Sequence, residues 1–451
     1  MPKKKYEIDM VNGALLPKVF RFALPLMLSG ILQFFFNAAD IIVVGRFTGK
    51  EALAAVGSTS SLTNLLITVF VGLSVGTNVL VAKYIGAKDD RKVSEAVHTS
   101  ILISFICGAV MILVGLFFTK PLLTLMGTPS DVLNQAALYM RIYFLSIPAV
   151  MLYNFGSAIL RAVGDTKRPL YYLTAAGIIN VVCNLFFVIV LHWGVAGVAI
   201  ATAISQIISA LLVLSCLMRT HGIYKVEWGK LKIHKEMLID IIKIGLPAGL
   251  QGIVFSISNV LIQSSINSFG SVAMAGNAAA SSLEGFIWIS MNAYYQANLS
   301  FTSQNIGAKK YSRIKRITII SVGIVTVIGA ILGITSNIFG TELLVIYNSD
   351  PDVIAFGLNR LKFVGLLSFI GGSADTLGGS MRGLGYSILP TVIALSANCI
   401  FRIIWVLTIF KMNPTPDTLF FSYPVSWVLA LICYLVSFVI ALHKLPKNDG
   451  E

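Results

Sequence analysis

Four ionisable side chains stand inside long apolar runs. They are Asp40 in FFFNAADIIVVG, Glu284 in SSLEGFIW, Asp375 in GGSADTLGG and Arg402 in NCIFRIIW. A charge in the middle of a bilayer costs at least about 2.5–3.5 kcal/mol. Such a group must face a wet cavity, meet a partner, or carry a proton. Burial favours the neutral form of a carboxyl, so an acid in oil-like surroundings can take up and release a proton near neutral pH. Asp40 is the first candidate for this work, then Glu284 and Asp375. The competing reading is a static pair, for instance Asp375 with Arg402, and Arg402 by itself reads as a structural counter-charge.

Asn180 and Asn184 lie one helical turn apart and so share a face. Thr202 follows in the next apolar run. With Asp40 these groups offer an oxygen-ligand site for a small hard cation, or a hydrogen-bonded proton site. The same amides would also serve as glue between membrane helices. Glu284, Trp288, Met291, Asn292, Tyr295 and Gln296 fall on one broad helical face. Carboxylate, aromatic rings and thioether would suit an amphipathic cation, with Asp375 as a further acidic contact. An ordinary packing face with interfacial aromatics has the same composition. Pro25 and Pro247 occupy matching places and read either as hinges or as rigid kinks.

The elements that position these residues are membrane helices. Of 451 residues, 56% are hydrophobic and 12% charged, well below the roughly 25% charge of a soluble domain. Crossing a bilayer takes about 20 helical residues. Twelve runs qualify: 16–44, 52–80, 95–118, 134–158, 170–192, 196–218, 239–264, 275–302, 315–337, 356–377, 388–410 and 422–443. A barrel would show short alternating segments instead. The expected fold is therefore an all-α integral membrane protein with twelve transmembrane helices.

The chain is one unit written twice. Leu24, Pro25, Ile31 and Asn37 match Leu246, Pro247, Ile253 and Asn259 at a spacing of 222. Ile85-Gly86-Ala87-Lys88 matches Ile306-Gly307-Ala308-Lys309, and Arg161, Gly164 and Pro169 match Arg382, Gly385 and Pro390, at 221. Six spans per copy keep both copies the same way up. The expectation is two six-helix lobes related by a pseudo-two-fold axis along the membrane normal. The parts are a tail (1–15), an N-lobe (16–218), a basic linker (219–238), a C-lobe (239–443) and a second tail (444–451).

The net charge of +14 would suggest nucleic acid in a soluble protein. Here its placement gives a better account. With both termini in the cytoplasm, 26 of the 34 Lys and Arg fall on the cytoplasmic side. That is the positive-inside bias of a cell-membrane protein, with lipid as the basic loops' neighbour and no nucleic acid. All five cysteines lie in apolar runs without metal-ligand spacing and read as small buried packing residues. No metal and no cofactor is expected. The first apolar run is long and lacks a small-residue cleavage site, so it reads as a retained span. There is no Walker A string, HExxH, DDxxD or G-x-S-x-G. ATP is thus not the direct fuel, and an enzyme is not expected.

The ordered motifs resemble the MATE family, the multidrug and toxic compound extrusion transporters. They are Asn37-x-x-Asp40-x-x-x-x-Gly45, Ala52-Leu53-Ala54-Ala55, LRAVGDTKRP (160–169), NVVCN (180–184), GVAGVAIAT (194–202), QNIGAKK (304–310) and MRGLGYSILP (381–390). The resemblance covers nearly the whole chain. It implies an antiporter that exports organic cations in exchange for H+ or Na+, alternating between outward-open and inward-open states; a monomer is expected. Asp40 matches the acidic centre of the family's N-lobe cation site, and Asn180 and Thr202 match other members of it. Position 184 is Asn where some members have Asp. Phe255 stands where sodium-coupled members carry a Glu. A lipid-linked sugar flippase of the same superfamily and a metabolite exporter are the alternative readings.

Overall fold

A computed structural model describes residues 6–446, 448 and 449, apart from the side chains of 50, 51, 53, 58, 60 and 61. Among the described residues it holds twelve long helices and no strand. They are α1 (Leu15–Phe47), α2 (Lys50–Gly86), α3 (Asp90–Leu125), α4 (Ser130–Ala162), α5 (Lys167–Val190) and α6 (Gly194–Arg219). After the linker come α7 (Lys235–Asn267), α8 (Ser271–Gly307), α9 (Tyr311–Ile338), α10 (Pro351–Gly383), α11 (Ile388–Phe410) and α12 (Pro416–His443). Eleven of them are long and apolar enough to cross a membrane. The twelfth, α8, has the length at 37 residues, but Asn277, Glu284, Asn292, Gln296, Asn298, Gln304 and Asn305 interrupt its apolar run.

The repeat is written in the backbone as well as in the sequence. Lys88 and Lys309, 221 residues apart, both have φ 56. Gly164 and Gly385, also 221 apart, have φ 89 and 95. Each pair closes a helix in the same way. The amide of Asp165 bonds the carbonyl of Leu160, and that of Tyr386 bonds the carbonyl of Met381, at 2.9 Å in both. A left-handed residue after the last turn makes this cap possible, and glycine takes that conformation without a Cβ penalty.

The described chain groups into two compact units, Met1–Ile8 with Leu28–Gly249, and Asp9–Met27 with Leu250–Glu451. α1 and α7 therefore each contribute to both. The changeover falls two residues after Pro25 and two residues after Pro247.

In the first unit α4 packs on α2, α3 and α6. Phe144, fully buried, fills the space beside Gly115, where a Cβ would lie 2.2 Å from the ring. α2 and the first part of α7 cross backbone to backbone. A Cβ on Gly72 would sit 2.3 Å from the Gly249 nitrogen, and one on Gly76 would sit 2.4 Å from the Ile241 carbonyl oxygen. Small residues four apart allow such close crossings in membranes, where packing rather than the hydrophobic effect joins helices.

In the second unit α10 packs on α8, α9 and α12. Buried polar side chains tie these helices together. Asn298 donates to Thr376 O and to Ser380 Oγ, each at 2.6 Å, and Thr318 meets Ser380 at 2.7 Å. α10 and α11 both contain π-helical turns, Leu361–Gly365, Leu395–Ile400 and Val406–Phe410. Such turns shift the register of the side chains around them and recur at functional sites. Arg360, Asn398 and Arg402 lie within or beside them.

Candidate functional site

Asp40 lies on the part of α1 that belongs to the first unit. Its carboxylate accepts a hydrogen bond from the Asn184 side-chain amide of α5. The same amide nitrogen reaches Asn180 Oδ1 at 3.3 Å. Asn180 in turn donates to Thr202 Oγ1 of α6 at 3.5 Å, and that hydroxyl donates to Val198 O at 3.0 Å. The four residues expected from the sequence are thus brought into one chain of hydrogen bonds across α1, α5 and α6. Asn180 and Asn184 are buried, whereas Asp40 keeps partial exposure. Among the described residues no basic side chain pairs with Asp40. Asn184 Oδ1 is buried and has no hydrogen-bond donor. Tyr139 of α4 lies within electrostatic reach of Asp40, a neighbour that no pattern in the chain singles out.

The second unit holds a cavity of about 520 Å³. Glu284, Trp288 and Asp375 line it, as do Arg360, Asn398, Arg402, Tyr423 and Trp427. Glu284 is clamped by Arg360, whose Nε and Nη2 reach the two carboxylate oxygens at 2.9 and 2.7 Å. Arg360 Nη1 donates to Asn277 Oδ1 at 2.6 Å, and Asn277 donates to Gln263 Oε1 at 3.1 Å. A bidentate pair with its remaining donor used is the arrangement that makes a buried ion pair tolerable. By charge placement Arg360 reads as an outer helix-end residue. It is instead 7% exposed, because the opposite charge on α8 draws it inward.

Asp375 and Arg402, the static pair of the competing reading, do not form a close ion pair among the described residues. Among the described residues no carboxylate oxygen lies within 4.0 Å of the Arg402 guanidinium. Arg402 Nε donates to Ser426 Oγ at 2.8 Å, and the guanidinium stacks 4.2 Å from the centre of the Tyr423 ring. Trp288 and Trp427 meet edge to face at 5.7 Å.

The remaining residues of the α8 face separate. Met291 is buried at the glycine surfaces of α9 and α10, its sulfur beside Gly329 and Gly372. Tyr295 OH accepts from Arg382 Nη1 at 2.9 Å, and Arg382 Nη2 donates to Gln251 at 2.5 Å. Asn292 is exposed and Gln296 is half-buried. Pro25 and Pro247 lie inside continuous helices beside the points where α1 and α7 pass from one unit to the other. Of the cysteines, Cys107, Cys216 and Cys399 are buried as expected, whereas Cys433 is exposed. Among the described residues no group of His, Cys, Asp and Glu is arranged to hold a metal ion.

Comparison with known proteins adds the lineage. The MatE family model matches the chain twice, over residues 25–186 and 247–408, so the repeat is a repeat of the family unit itself. A probable multidrug resistance protein of Bacillus subtilis (strain 168), YoeA, is 31% identical over 395 residues, covering 84% of this chain and 85% of its own. The multidrug export protein MepA of Staphylococcus saprophyticus is 22% identical, over 84% and 83% of the two chains. Among solved structures, a MATE protein in the straight conformation superposes with a TM-score of 0.91 at 20% identity, covering 97% of this chain and 98% of that one. An outward-facing multidrug resistance MATE family transporter of the MOP superfamily superposes at 0.90, with the same coverage and identity. These structures share the fold of twelve helices in two lobes, and this chain is a multi-pass membrane protein. With the family model matched over most of its length, in both halves and in order, the chain belongs to the MATE family of multidrug efflux transporters.

Proposed function

We propose that this protein is a secondary antiporter that exports organic cations from the cytoplasm in exchange for H+ or Na+. The observation that carries this reading is Asp40. Its carboxylate is held by one neutral amide, among buried amides and a hydroxyl, and no basic side chain among the described residues neutralises it. An uncompensated acid in a membrane helix is a place where a cation or a proton gains most. The outgoing cation and the incoming ion compete for this one charge. Binding of either shifts the balance between two lobe arrangements, which is all that coupled exchange requires. Asn180, Asn184 and Thr202 orient the carboxylate. Asn180 Oδ1 and Thr202 Oγ1 are engaged within the cluster, while Asn184 Oδ1 stays without a donor, so the site suits either a proton or Na+ as the coupling ion.

Asp375 and Trp288 are the cargo contacts of the C-lobe in this reading, with Asn292 and Gln296 as polar neighbours on α8. Glu284, already matched by Arg360, holds the cavity wall, and Met291 and Tyr295 brace the same helix. Pro25 and Pro247 act as hinges, since proline removes a helix bond where each helix changes unit. The protein works as a monomer with both termini in the cytoplasm, as the charge bias favours.

The test is transport of a cationic dye by purified protein in proteoliposomes. Flux is driven separately by a pH gradient and by a Na+ gradient. Dye movement against its own gradient under either drive supports the antiporter. Dye that only equilibrates, whichever gradient is imposed, refutes it.

A further inference from the structure

The linker between α6 and α7 is fastened along the first unit. The amide of Val226 bonds the Leu217 carbonyl of α6 at 3.0 Å. The amide of Glu227 donates to His98 Nε2 of α3 at 3.0 Å. Thr99 of the same helix donates to Lys232 O at 3.4 Å and accepts from the His234 amide at 3.1 Å. Tyr224 and Val226 are buried, and Arg168 Nη2 donates to Tyr224 OH at 3.2 Å. Between these anchors the other side chains point outward. Ile223, Trp228 and Ile233 are 37%, 54% and 40% exposed. Lys225, Lys232 and Lys235 are exposed too, and among the described residues none has a carboxylate oxygen within 4.0 Å. Lys230 is paired with Glu227 at 2.8 Å.

The anchors also fix the depth of this segment. α3 has 36 residues and is about 54 Å long at 1.5 Å per residue, against about 30 Å of hydrocarbon in a bilayer. Its opening charges, Asp90, Arg91, Lys92 and Glu95, end just before His98 and Thr99. The linker therefore crosses α3 where the apolar run begins, at the level of the lipid headgroups. Water at this face would leave a Trp and two Ile unburied on a fixed backbone. A neutral lipid surface would take the apolar groups but leave three lysines without counter-charge. A leaflet carrying anionic headgroups suits both, since indole favours the interface and lysine stems lie along apolar surface while their heads reach phosphate. We infer that the outer face of the linker, Ile223, Lys225, Trp228, Lys232, Ile233 and Lys235, is a binding surface for anionic phospholipid in the leaflet that it borders.

Lipid contact at this face does not depend on antiport, and its test uses no gradient. The full-length protein is reconstituted in nanodiscs of phosphatidylcholine that contain rising fractions of a chain-brominated lipid, either phosphatidylglycerol or phosphatidylcholine. Bromine quenches an indole that it touches. The difference in emission between the wild type and Trp228→Phe isolates Trp228 from the other four tryptophans. Half of the Trp228 emission is expected to be lost at an about fivefold lower fraction of the brominated anionic lipid than of the neutral one, the worth of one lysine beside an anionic surface. Replacing Lys225, Lys232 and Lys235 together by Gln is expected to bring the two fractions together. Trp228 emission that neither lipid quenches places the face in water and overturns the proposal. Equal quenching by both lipids in the wild type overturns it as well, whether or not the triple variant folds. A folded triple variant that keeps the full preference for the anionic lipid also overturns it.

Discussion

The side-chain amide of Asn184 donates to Asp40, and this is the one protein hydrogen bond that the carboxylate accepts among the described residues. A bond to a charged group contributes about 1.5–3 kcal/mol. Replacing Asn184 by Leu removes the donor and keeps most of the volume. The half-saturating concentration of the coupling ion should shift by about ten- to a hundredfold, measured as initial rates of dye flux across a series of pH and Na+ values. Unchanged rates would show that Asn184 is interhelical glue and nothing more.

Glu284 and Arg360 are a buried bidentate pair, so losing either partner strands a charge. Glu284→Gln and Arg360→Met should each lower stability by about 3–5 kcal/mol, seen as a drop in thermal unfolding temperature. The double replacement Glu284→Met with Arg360→Met should recover most of the loss. If the single variants were as stable as the wild type, the pair would be open to water and Glu284 would be available to bind a cation.

The α2–α7 crossing has no room for a side chain. Gly72→Leu would meet the backbone of Gly249 rather than a flexible side chain. Overpacking of this kind costs about 1–3 kcal/mol. A lower unfolding temperature and loss of transport are expected. Gly229→Ala, in the linker with nothing within 4 Å of its built Cβ, should be neutral in both measurements.

Pro25 and Pro247 stand at the unit changeovers, and Ala at either position restores a helix bond. If they are hinges, Pro247→Ala should slow transport several-fold while leaving equilibrium dye binding intact. Unaltered turnover would make them rigid kinks.

The architecture was legible in the sequence because membrane helices announce themselves by continuous apolar length, and the repeat by matched Gly, Pro and Arg positions. The grouping of the N-lobe residues was legible too. Asn180 and Asn184 share a face by helical spacing, and Asp40 is conspicuous in an apolar run. The C-lobe chemistry was not. Arg360 sits where counting loops puts an outer charge, and only the tertiary approach of α8 and α10 brings it to Glu284. The repeat could not reveal it, since Tyr139 stands 221 residues before Arg360 and Thr202 before Tyr423. Local pattern left Asp375 open between a cargo contact and a static partner of Arg402; π-helical turns in α11 and the Tyr423 ring set the direction of the guanidinium.

The most direct measurement is gradient-driven dye flux by Asp40→Asn, reconstituted beside the wild type. Asn keeps the shape and the amide contact but can neither hold a cation by charge nor take up a proton. Insertion and unfolding temperature should match the wild type, and exchange should be abolished under both pH and Na+ gradients. Exchange at the wild-type rate in that variant would contradict the assignment of Asp40 as the group for which cargo and coupling ion compete.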